Sequence, residues 1–284
     1  MAEIEIVEMA PRDGLQNEAR PIPTHDKIAL IDALGACGFR RIEATAFVSP
    51  KWVPQMADAA QVMAGITRPK GVSYIALAPN LRGYEAARAA RVDTVAIFAS
   101  ASDGFSRANL NKSVDESLDA FQAVAEAAQA DAVGLRGYVS CVTDCPYDGP
   151  TPPAAVAAVV RCLLAMGCAE VSLGDTIGAG TPQTVAAMLE AVLAVAPPER
   201  LAGHFHDTGG RALDNIDVSI SAGLRVFDAS VGGLGGCPYA KGATGNVATE
   251  AVVTHLQNQG HSCGLAAEPL ATARALALSL KGTS

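Results

Sequence analysis

The sequence lacks the features that mark membrane proteins and nucleic-acid-binding proteins. No apolar run approaches the roughly 20 residues that a membrane-spanning helix needs. Basic residues are in the minority, with 21 Lys and Arg against 29 Asp and Glu, and the net charge is −8. This charge argues against an anionic membrane or nucleic-acid surface as a partner. The sequence therefore predicts neither as a binding partner.

Targeting and disulfide signals are also missing. The first residues show no basic region before an apolar stretch, and no Arg-rich presequence. The seven cysteines are odd in number, irregularly spaced and without a C-x-x-C pair, which favours reduced thiols in a reducing compartment. We therefore expect a cytoplasmic protein of bacterial type, or a mature form whose targeting peptide has been removed.

Short β-branched runs alternate with longer Ala-rich runs, which predicts a parallel sheet built from βα units. The predicted strands are Ile4–Met9, Arg41–Thr45, Val72–Leu77, Thr94–Phe98, Arg136–Val142, Glu170–Leu173, Ala202–His206 and Val226–Ser230. The predicted helices are Thr24–Cys37, Val53–Ala64, Leu81–Ala90, Val114–Ala130, Pro152–Met166, Pro182–Val195, Gly210–Ala222, Asn246–Gln259 and Glu268–Leu280. Eight strands favour a closed barrel over an open sheet, and no G-x-G-x-x-G follows the first strand.

The predicted fold class is therefore an α/β protein with a (β/α)8 TIM barrel and additional C-terminal helices. A barrel of this kind needs roughly 250 residues, so residues 1–284 fit one domain, with a helical extension at about 246–284. Helix caps support the pattern. Ser113 and Glu116 form a predicted capping box, and Thr151 and Thr181 each precede a proline at a predicted helix start.

Polar side chains collect where the predicted strands end, which is the catalytic face of a barrel. His204 and His206 share one face of a strand, so both imidazoles can bind one metal ion. The other candidates on this face are Arg12, Asp13, Gln16, Asn17, Glu18, Glu43, Asp175 and Cys237.

Each signal has an ordinary structural alternative when taken alone. Arg12 and Asp13 can form a surface turn, Glu43 can make a structural ion pair, and Asp175 can cap a turn. The glycine run 232–236 can bind a phosphate, and a His-x-His pair can be incidental. Their convergence on one barrel mouth favours a single site.

At these residues the sequence resembles the 3-hydroxy-3-methylglutaryl-CoA lyase family. The similarity lies in "RDGLQNE", "IEATAFVSPKWVPQMAD", "SLGDTIGAGTP", "HFHDT" and "GGLGGCPYAKGATGNVATE", and it extends to about Glu250. It implies a metal-dependent barrel that cleaves 3-hydroxy-3-methylglutaryl-CoA into acetyl-CoA and acetoacetate.

The resemblance also implies roles for individual residues. Asp13, His204, His206 and Asn246 would bind a divalent cation, most often Mg²⁺ or Mn²⁺. Arg12 would neutralise the developing enolate oxygen and, with Gln16, contact the acyl-CoA substrate. Cys237 would act as a general acid or base, with Glu43 and Asp175 as supporting acidic groups. On general grounds we expect a homodimer or higher homo-oligomer.

The chemistry of C–C cleavage fits this set. The substrate hydroxyl must lose a proton, and Asp13, His204 or a bound water remain open as the base. A free thiol, with an ordinary pKa of about 8.5, can protonate the carbanion product. The sequence departs from the family at Gly209, where a tyrosine is usual, and at Ala19, where a lysine is usual. These departures bear on the grip on acyl-CoA.

Three alternatives therefore stay open at this point. The first is a lyase for a related hydroxyacyl-CoA. The second is a metal-dependent aldolase or Claisen synthase that uses a 2-oxo acid on the same barrel. The third is a barrel that binds metal or ligand without catalysis.

Overall fold

Eight parallel strands close into a barrel in a computed structural model that describes residues 3–236 and 245–281. The strands are β1 (Glu5–Glu8), β2 (Arg41–Ala46), β3 (Ser73–Leu77), β4 (Thr94–Ser100), β5 (Gly134–Ser140), β6 (Glu170–Asp175), β7 (Leu201–Phe205) and β8 (Val226–Ala229). They neighbour one another in chain order, and β8 pairs with β1 to close the barrel. The predicted (β/α)8 fold is thus confirmed.

Ten α-helices accompany the strands in the described ranges. They are α1 (Thr24–Gly35), α2 (Ala59–Gly65), α3 (Leu81–Ala89), α4 (Asp103–Leu110), α5 (Val114–Ala130), α6 (Pro153–Ala165), α7 (Pro182–Leu193), α8 (Ala212–Ser221), α9 (Thr249–Asn258) and α10 (Ala267–Leu280). Helix α10 packs against α1, so the last described helix contacts the first. No helix in the described part of the chain is long and apolar enough to cross a membrane.

The predicted strands match the observed ones to within one or two residues. The capping box at Ser113 and the cap at Thr181 are present. The expected cap at Thr151 is wrong, because Pro152 occupies the cap position and the Thr151 hydroxyl has no hydrogen-bond partner among the described residues. The helix α4 and a short antiparallel ladder between 144–145 and 149–150 were not predicted.

Two predicted helix starts also need correction. The first turn predicted from Val53 is instead a 3-10 turn at Pro54–Met56, and the α-helix begins only at Ala59. The helix predicted from Asn246 begins at Thr249. Asn246 is extended and forms an isolated antiparallel bridge with His206, so it belongs to the barrel mouth and not to a helix.

The two sides of the barrel wall differ in character. We call the layer between strands and helices the shell and the space enclosed by the strands the lumen. Residues in register on neighbouring parallel strands point to the same side, and Tyr138 pairs with Ser172 while His204 pairs with Asp228. These polar side chains face the lumen, whereas the shell is filled mainly by Leu, Ile, Val and Ala.

Candidate metal and catalytic site

A short π-helix at Ala10–Gly14 follows β1 and carries the first two candidate residues. The amides of Arg12, Asp13 and Gly14 lie within 3.2 Å of the Met9 carbonyl, which makes a wide turn. Such π-turns are common at functional sites. Gly14 is needed here because a Cβ atom would approach Leu234 Cβ to 2.9 Å. The turn thus brings the loop after β1 against the loop after β8.

The two histidines come from the end of β7 and lie side by side. Their ring centroids are 5.3 Å apart. One ligand atom each from Asp13, His204 and His206 lies within 4.8 Å of the other two, a spacing that suits a shared metal ion. His204 Nδ1 lies 3.2 Å from Asp228 Oδ2, which leaves Nε2 on the side of Asp13. A carboxylate behind a ligating histidine is the usual way to fix its ring.

Asn246 reaches the same place from beyond β8. Its backbone forms the bridge with His206, and its side-chain Nδ2 donates to Asp13 Oδ2 at 2.8 Å and to the Leu234 carbonyl at 3.1 Å. The amide is therefore held on both sides. The amide oxygen Oδ1 therefore remains available to coordinate a cation.

Two unsatisfied polar atoms test whether a cation fits. His206 Nδ1 and Asn246 Oδ1 are both buried and have no hydrogen-bond partner among the described residues. A buried polar atom left unpaired costs about 1–3 kcal/mol, so such atoms call for a partner. Burial lowers the pKa of His206 to about 4, which keeps its imidazole neutral and able to ligate. The donor set therefore fits a divalent cation.

Charges around Asp13 favour its ionised form. Burial raises the pKa of Asp13, but the Arg12 guanidinium, the two neighbouring imidazoles and the hydrogen bond from Asn246 together outweigh burial and hold the pKa at about 2. Arg12 Nη1 donates to Asp13 at 2.7 Å, and Arg12 Nε donates to Glu43 at 2.5 Å. Burial alone would lower the pKa of Arg12, and the charges of Glu43 and Asp13 raise it above its ordinary value. The site thus holds a permanently charged guanidinium beside a carboxylate.

Glu43 is fully buried, and burial raises its pKa while Arg12 opposes that shift. Both of its oxygens accept hydrogen bonds, one from Arg12 and one from the Tyr138 hydroxyl at 2.9 Å. Glu43 thus makes the ion pair that was considered as its structural alternative, and its predicted supporting role stays a prediction. That pair also fixes the guanidinium beside the metal candidates.

Asp175 lies at the end of β6, and its carboxylate accepts hydrogen bonds from the loop after β5 and from the loop after β6. Its two oxygens accept from the Thr143 hydroxyl at 3.0 Å and from the Gly180 amide at 2.9 Å. Burial raises its pKa. Among the described residues it makes no hydrogen bond to the metal candidates, so its geometry is that of a loop cap.

The remaining candidates are placed as follows. Gln16 is half-buried in the turn after Asp13, and Asn17 donates to the Gly236 carbonyl at 2.8 Å. Glu18 contributes its carbonyl to a hydrogen bond from Gln55. Cys237 lies outside the described residues, and its predicted role stays a prediction.

Sequence reasoning missed three lumen residues that back the site. Arg136, Tyr138 and Asp228 are buried and connect to one another and to the site through hydrogen bonds. A signal for them was present. An arginine and a tyrosine two apart in β5, and an aspartate in β8, stand in otherwise apolar strands, where a charge demands a buried partner.

The chain is similar to known proteins over nearly its whole length. A family model described as HMGL-like matches residues 3–277. The chain is 58% identical to the 3-hydroxy-3-isohexenylglutaryl-CoA/hydroxy-methylglutaryl-CoA lyase of Pseudomonas aeruginosa. The alignment spans 250 residues, which are 88% of this chain and 83% of that protein.

Solved structures extend the similarity to three dimensions. The HMG-CoA lyase from Brucella melitensis superposes with a TM-score of 0.97 and 62% identity over 99% of both chains. An HMG-CoA lyase from Acinetobacter baumannii, in complex with coenzyme A and 3-methylmalate, gives a TM-score of 0.93 at 36% identity, over 98% of this chain and 91% of that one.

Proposed function

The chain belongs to the HMGL-like family, and we propose from this premise that it cleaves 3-hydroxy-3-methylglutaryl-CoA into acetyl-CoA and acetoacetate. It is an enzyme, a carbon–carbon lyase of the hydroxymethylglutaryl-CoA lyase type. One observation carries the proposal. Asp13, His204 and His206 converge beside a fixed, charged Arg12 at the mouth of the barrel.

The proposed ligands of a divalent cation are Asp13, His204, His206 and the Oδ1 atom of Asn246. A bound divalent cation supplies Lewis acidity, which lowers the pKa of a coordinated hydroxyl by several units. The mixed oxygen and nitrogen donors suit Mg²⁺ or Mn²⁺ and also accept Zn²⁺. Loading the purified protein with each metal in turn, after removal by EDTA, identifies the one that restores activity.

Arg12 is proposed to stabilise the negative charge that develops on the thioester oxygen as the C–C bond breaks. Glu43 holds its Nε and Asp13 holds its Nη1, so the guanidinium is fixed before substrate arrives. Its Nη2 has no hydrogen-bond partner in the part of the chain described. A donor that is already oriented toward developing charge stabilises a transition state without reorganisation.

Cys237 is proposed as the group that protonates the carbanion product, with Gln16 contacting the substrate and Asp175 holding the loop after β6. In Cys237→Ala we expect kcat to fall by several powers of ten while the metal stays bound. Acetoacetate release and metal content report the two effects separately. Near-normal turnover would remove Cys237 from the mechanism.

A second candidate function concerns the acyl group. The Pseudomonas aeruginosa relative is named for an isohexenyl as well as a methyl substrate, and it is 58% identical to this chain. We therefore include longer 3-substituted glutaryl-CoA esters among the candidate substrates. A panel of hydroxyacyl-CoA esters with metal, followed by mass spectrometry of the products, decides between them.

The cellular compartment, the oligomeric state and the acyl-CoA partner of the enzyme also remain proposals. We propose a cytoplasmic protein that forms a homodimer or higher homo-oligomer and takes an acyl-CoA ester as its partner. Support for the acyl-CoA ester comes from the Acinetobacter baumannii relative, whose structure contains coenzyme A. Analytical ultracentrifugation with and without substrate measures the oligomeric state.

A further inference from the structure

Arg136 is buried in the lumen and donates hydrogen bonds to three side chains. Its side chain is only 2% exposed. Nε donates to Glu170 at 2.9 Å, Nη1 to the Tyr138 hydroxyl at 2.8 Å and Nη2 to Asp228 at 2.7 Å. Glu170 lies at the start of β6 and pairs with Arg41, which anchors the guanidinium at the end of the barrel opposite the site. The other two bonds point toward the metal candidates.

The first branch leads to His204. Asp228 accepts from Arg136 through Oδ1, and its Oδ2 contacts His204 Nδ1 at 3.2 Å and the Ser172 hydroxyl at 2.7 Å. Asp228 is fully buried, and Arg136 lowers its pKa against the effect of burial. Arg136 binds the other carboxylate oxygen through a charge-assisted hydrogen bond and thus helps to hold the carboxylate against the His204 ring.

The second branch leads to Asp13. The Tyr138 hydroxyl accepts from Arg136 and donates to Glu43, Glu43 accepts from Arg12, and Arg12 donates to Asp13. Every link is between 2.5 and 2.9 Å. One guanidinium thus stands behind two of the proposed metal ligands by separate routes.

We propose that Arg136 is a positioning residue that sets the metal affinity of the site by orienting His204 through Asp228 and Asp13 through Tyr138, Glu43 and Arg12. This inference rests on the proposed metal site. A planar guanidinium is required because three acceptors lie in three directions, and an ammonium group cannot match that plane. Partners behind metal ligands are typically worth about 10–100-fold in metal affinity.

The charges of the network sharpen the test. Among the described residues, one chain of hydrogen bonds connects five carboxylates, Glu5, Asp13, Glu43, Glu170 and Asp228, with three guanidinium groups, Arg12, Arg41 and Arg136. Carboxyl groups outnumber guanidinium groups in this network. If charge alone governed affinity, loss of the Arg136 cation would tighten metal binding. If orientation governs it, metal binding weakens.

The experiment measures the Kd for Mn²⁺ by electron paramagnetic resonance on the full chain, with circular dichroism confirming that each variant is folded. We expect Arg136→Lys and Arg136→Met each to weaken Mn²⁺ binding by about 100-fold. Tyr138→Phe and Asp228→Asn, which each cut one branch, are expected to weaken it by about tenfold or more. Ser172→Ala is the matched control, because it also removes a hydrogen bond to Asp228 but leaves both branches intact, and should stay within about twofold.

The branches also predict how the variants combine. Adding Arg136→Lys to the Tyr138→Phe/Asp228→Asn double variant is expected to cause no further loss of Mn²⁺ affinity. If the Arg136 variants do not fold, the two branch variants and their combination carry the test. Unchanged or tighter Mn²⁺ binding in folded branch variants would overturn the proposal.

Acetoacetate release by the wild-type enzyme separates this inference from the proposed function. Wild-type turnover combined with branch variants of normal Mn²⁺ affinity refutes the role of Arg136 and leaves the function standing. Mn²⁺ binding without turnover in the wild type refutes the function, and the variants still test Arg136. A wild-type protein that binds no Mn²⁺ refutes the positioning role as stated.

Discussion

The shell and the lumen bury their residues by opposite means. The shell fills the space between strands and helices with aliphatic side chains such as Leu163, Val160 and Ile216. The lumen buries arginines and carboxylates, each paired within hydrogen-bond distance. Burying an unpaired charge is costly, so the lumen is stable only as a complete set of partners. The shell depends mainly on the close packing of apolar side chains.

The difference separates what holds the fold from what prepares the site. A shell substitution removes packing that no ligand contacts. A lumen substitution leaves a charge without its partner and disturbs the groups behind Asp13 and His204. Glu8 is an exception in the shell, a buried carboxyl that accepts from the amides of Ala10 and Val231 and from the Thr249 hydroxyl. No ion-pair partner for it is found among the described residues.

The largest expected effect follows from removing a proposed ligand at the lumen mouth. Asp13→Asn keeps the shape of the side chain but removes the charge that faces the imidazoles. We expect kcat/KM for acetoacetate release to fall by about a thousandfold or more, with metal content reduced in the purified protein. Retention of more than a tenth of wild-type activity would exclude Asp13 from the ligand set.

The next effect tests the shell. Leu163 on α6 is fully buried, and Leu163→Ala should lower the free energy of unfolding by about 2–5 kcal/mol. Mn²⁺ affinity of the folded protein should stay within about twofold. Urea denaturation measures the first quantity and Mn²⁺ titration the second, with the exposed Leu81→Ala as control. A large loss of affinity in Leu163→Ala would erase the distinction between shell and lumen.

The exception in the shell predicts a pH dependence. Burial raises the pKa of Glu8 from 4.5 to about 7, so the folded protein holds this proton more tightly than the unfolded chain does. The free energy of unfolding therefore falls as the pH rises from about 4.5 through 7 and levels off above it. The contribution of Glu8 to this fall is at most about 3 kcal/mol.

Glu8→Gln should remove that contribution. The stability of the variant relative to wild type is expected to rise between pH 4.5 and pH 8, as measured by urea denaturation at both values. Glu190→Gln, at an exposed position on α7, serves as the control and should track the wild type. A constant difference between Glu8→Gln and wild type across this range would show that Glu8 does not titrate there.

The smallest effect lies at the outer edge of the shell. Ser113 caps α5 and accepts from the Glu116 amide at 3.1 Å. Ser113→Ala should lower the free energy of unfolding by about 1 kcal/mol without changing turnover, whereas Ser113→Asp should retain most of the cap. Equal stability of Ser113→Ala and wild type would mean that the cap contributes nothing.

The fold was predictable because its signals are local. β-branched runs and helix caps such as Ser113 appear within a few residues of the element they specify. The His204 and His206 pair was predictable for the same reason, since two residues apart in a strand share a face. The assignment of residues 1–284 to one domain stays a prediction. The roles of the individual site residues also stay predictions.

The lumen network was not predictable because its partners are distant in sequence. Arg136 and Asp228 are 92 residues apart, and Tyr138 and Glu43 are 95 apart. Only the register of a closed barrel brings them together. The extended backbone at Asn246 was missed because its bridge to His206 depends on that same closure and competes with a local helical pattern.

The order in which the proposed ligands appear in the chain has a consequence for biosynthesis. Asp13 and Asn246 are 233 residues apart, on either side of the seam where the first strand meets the last. During translation the nascent chain must expose Asp13 long before its amide partner leaves the ribosome. A prematurely terminated product would therefore lack a complete set of ligands, and cation capture would mark the finished polypeptide.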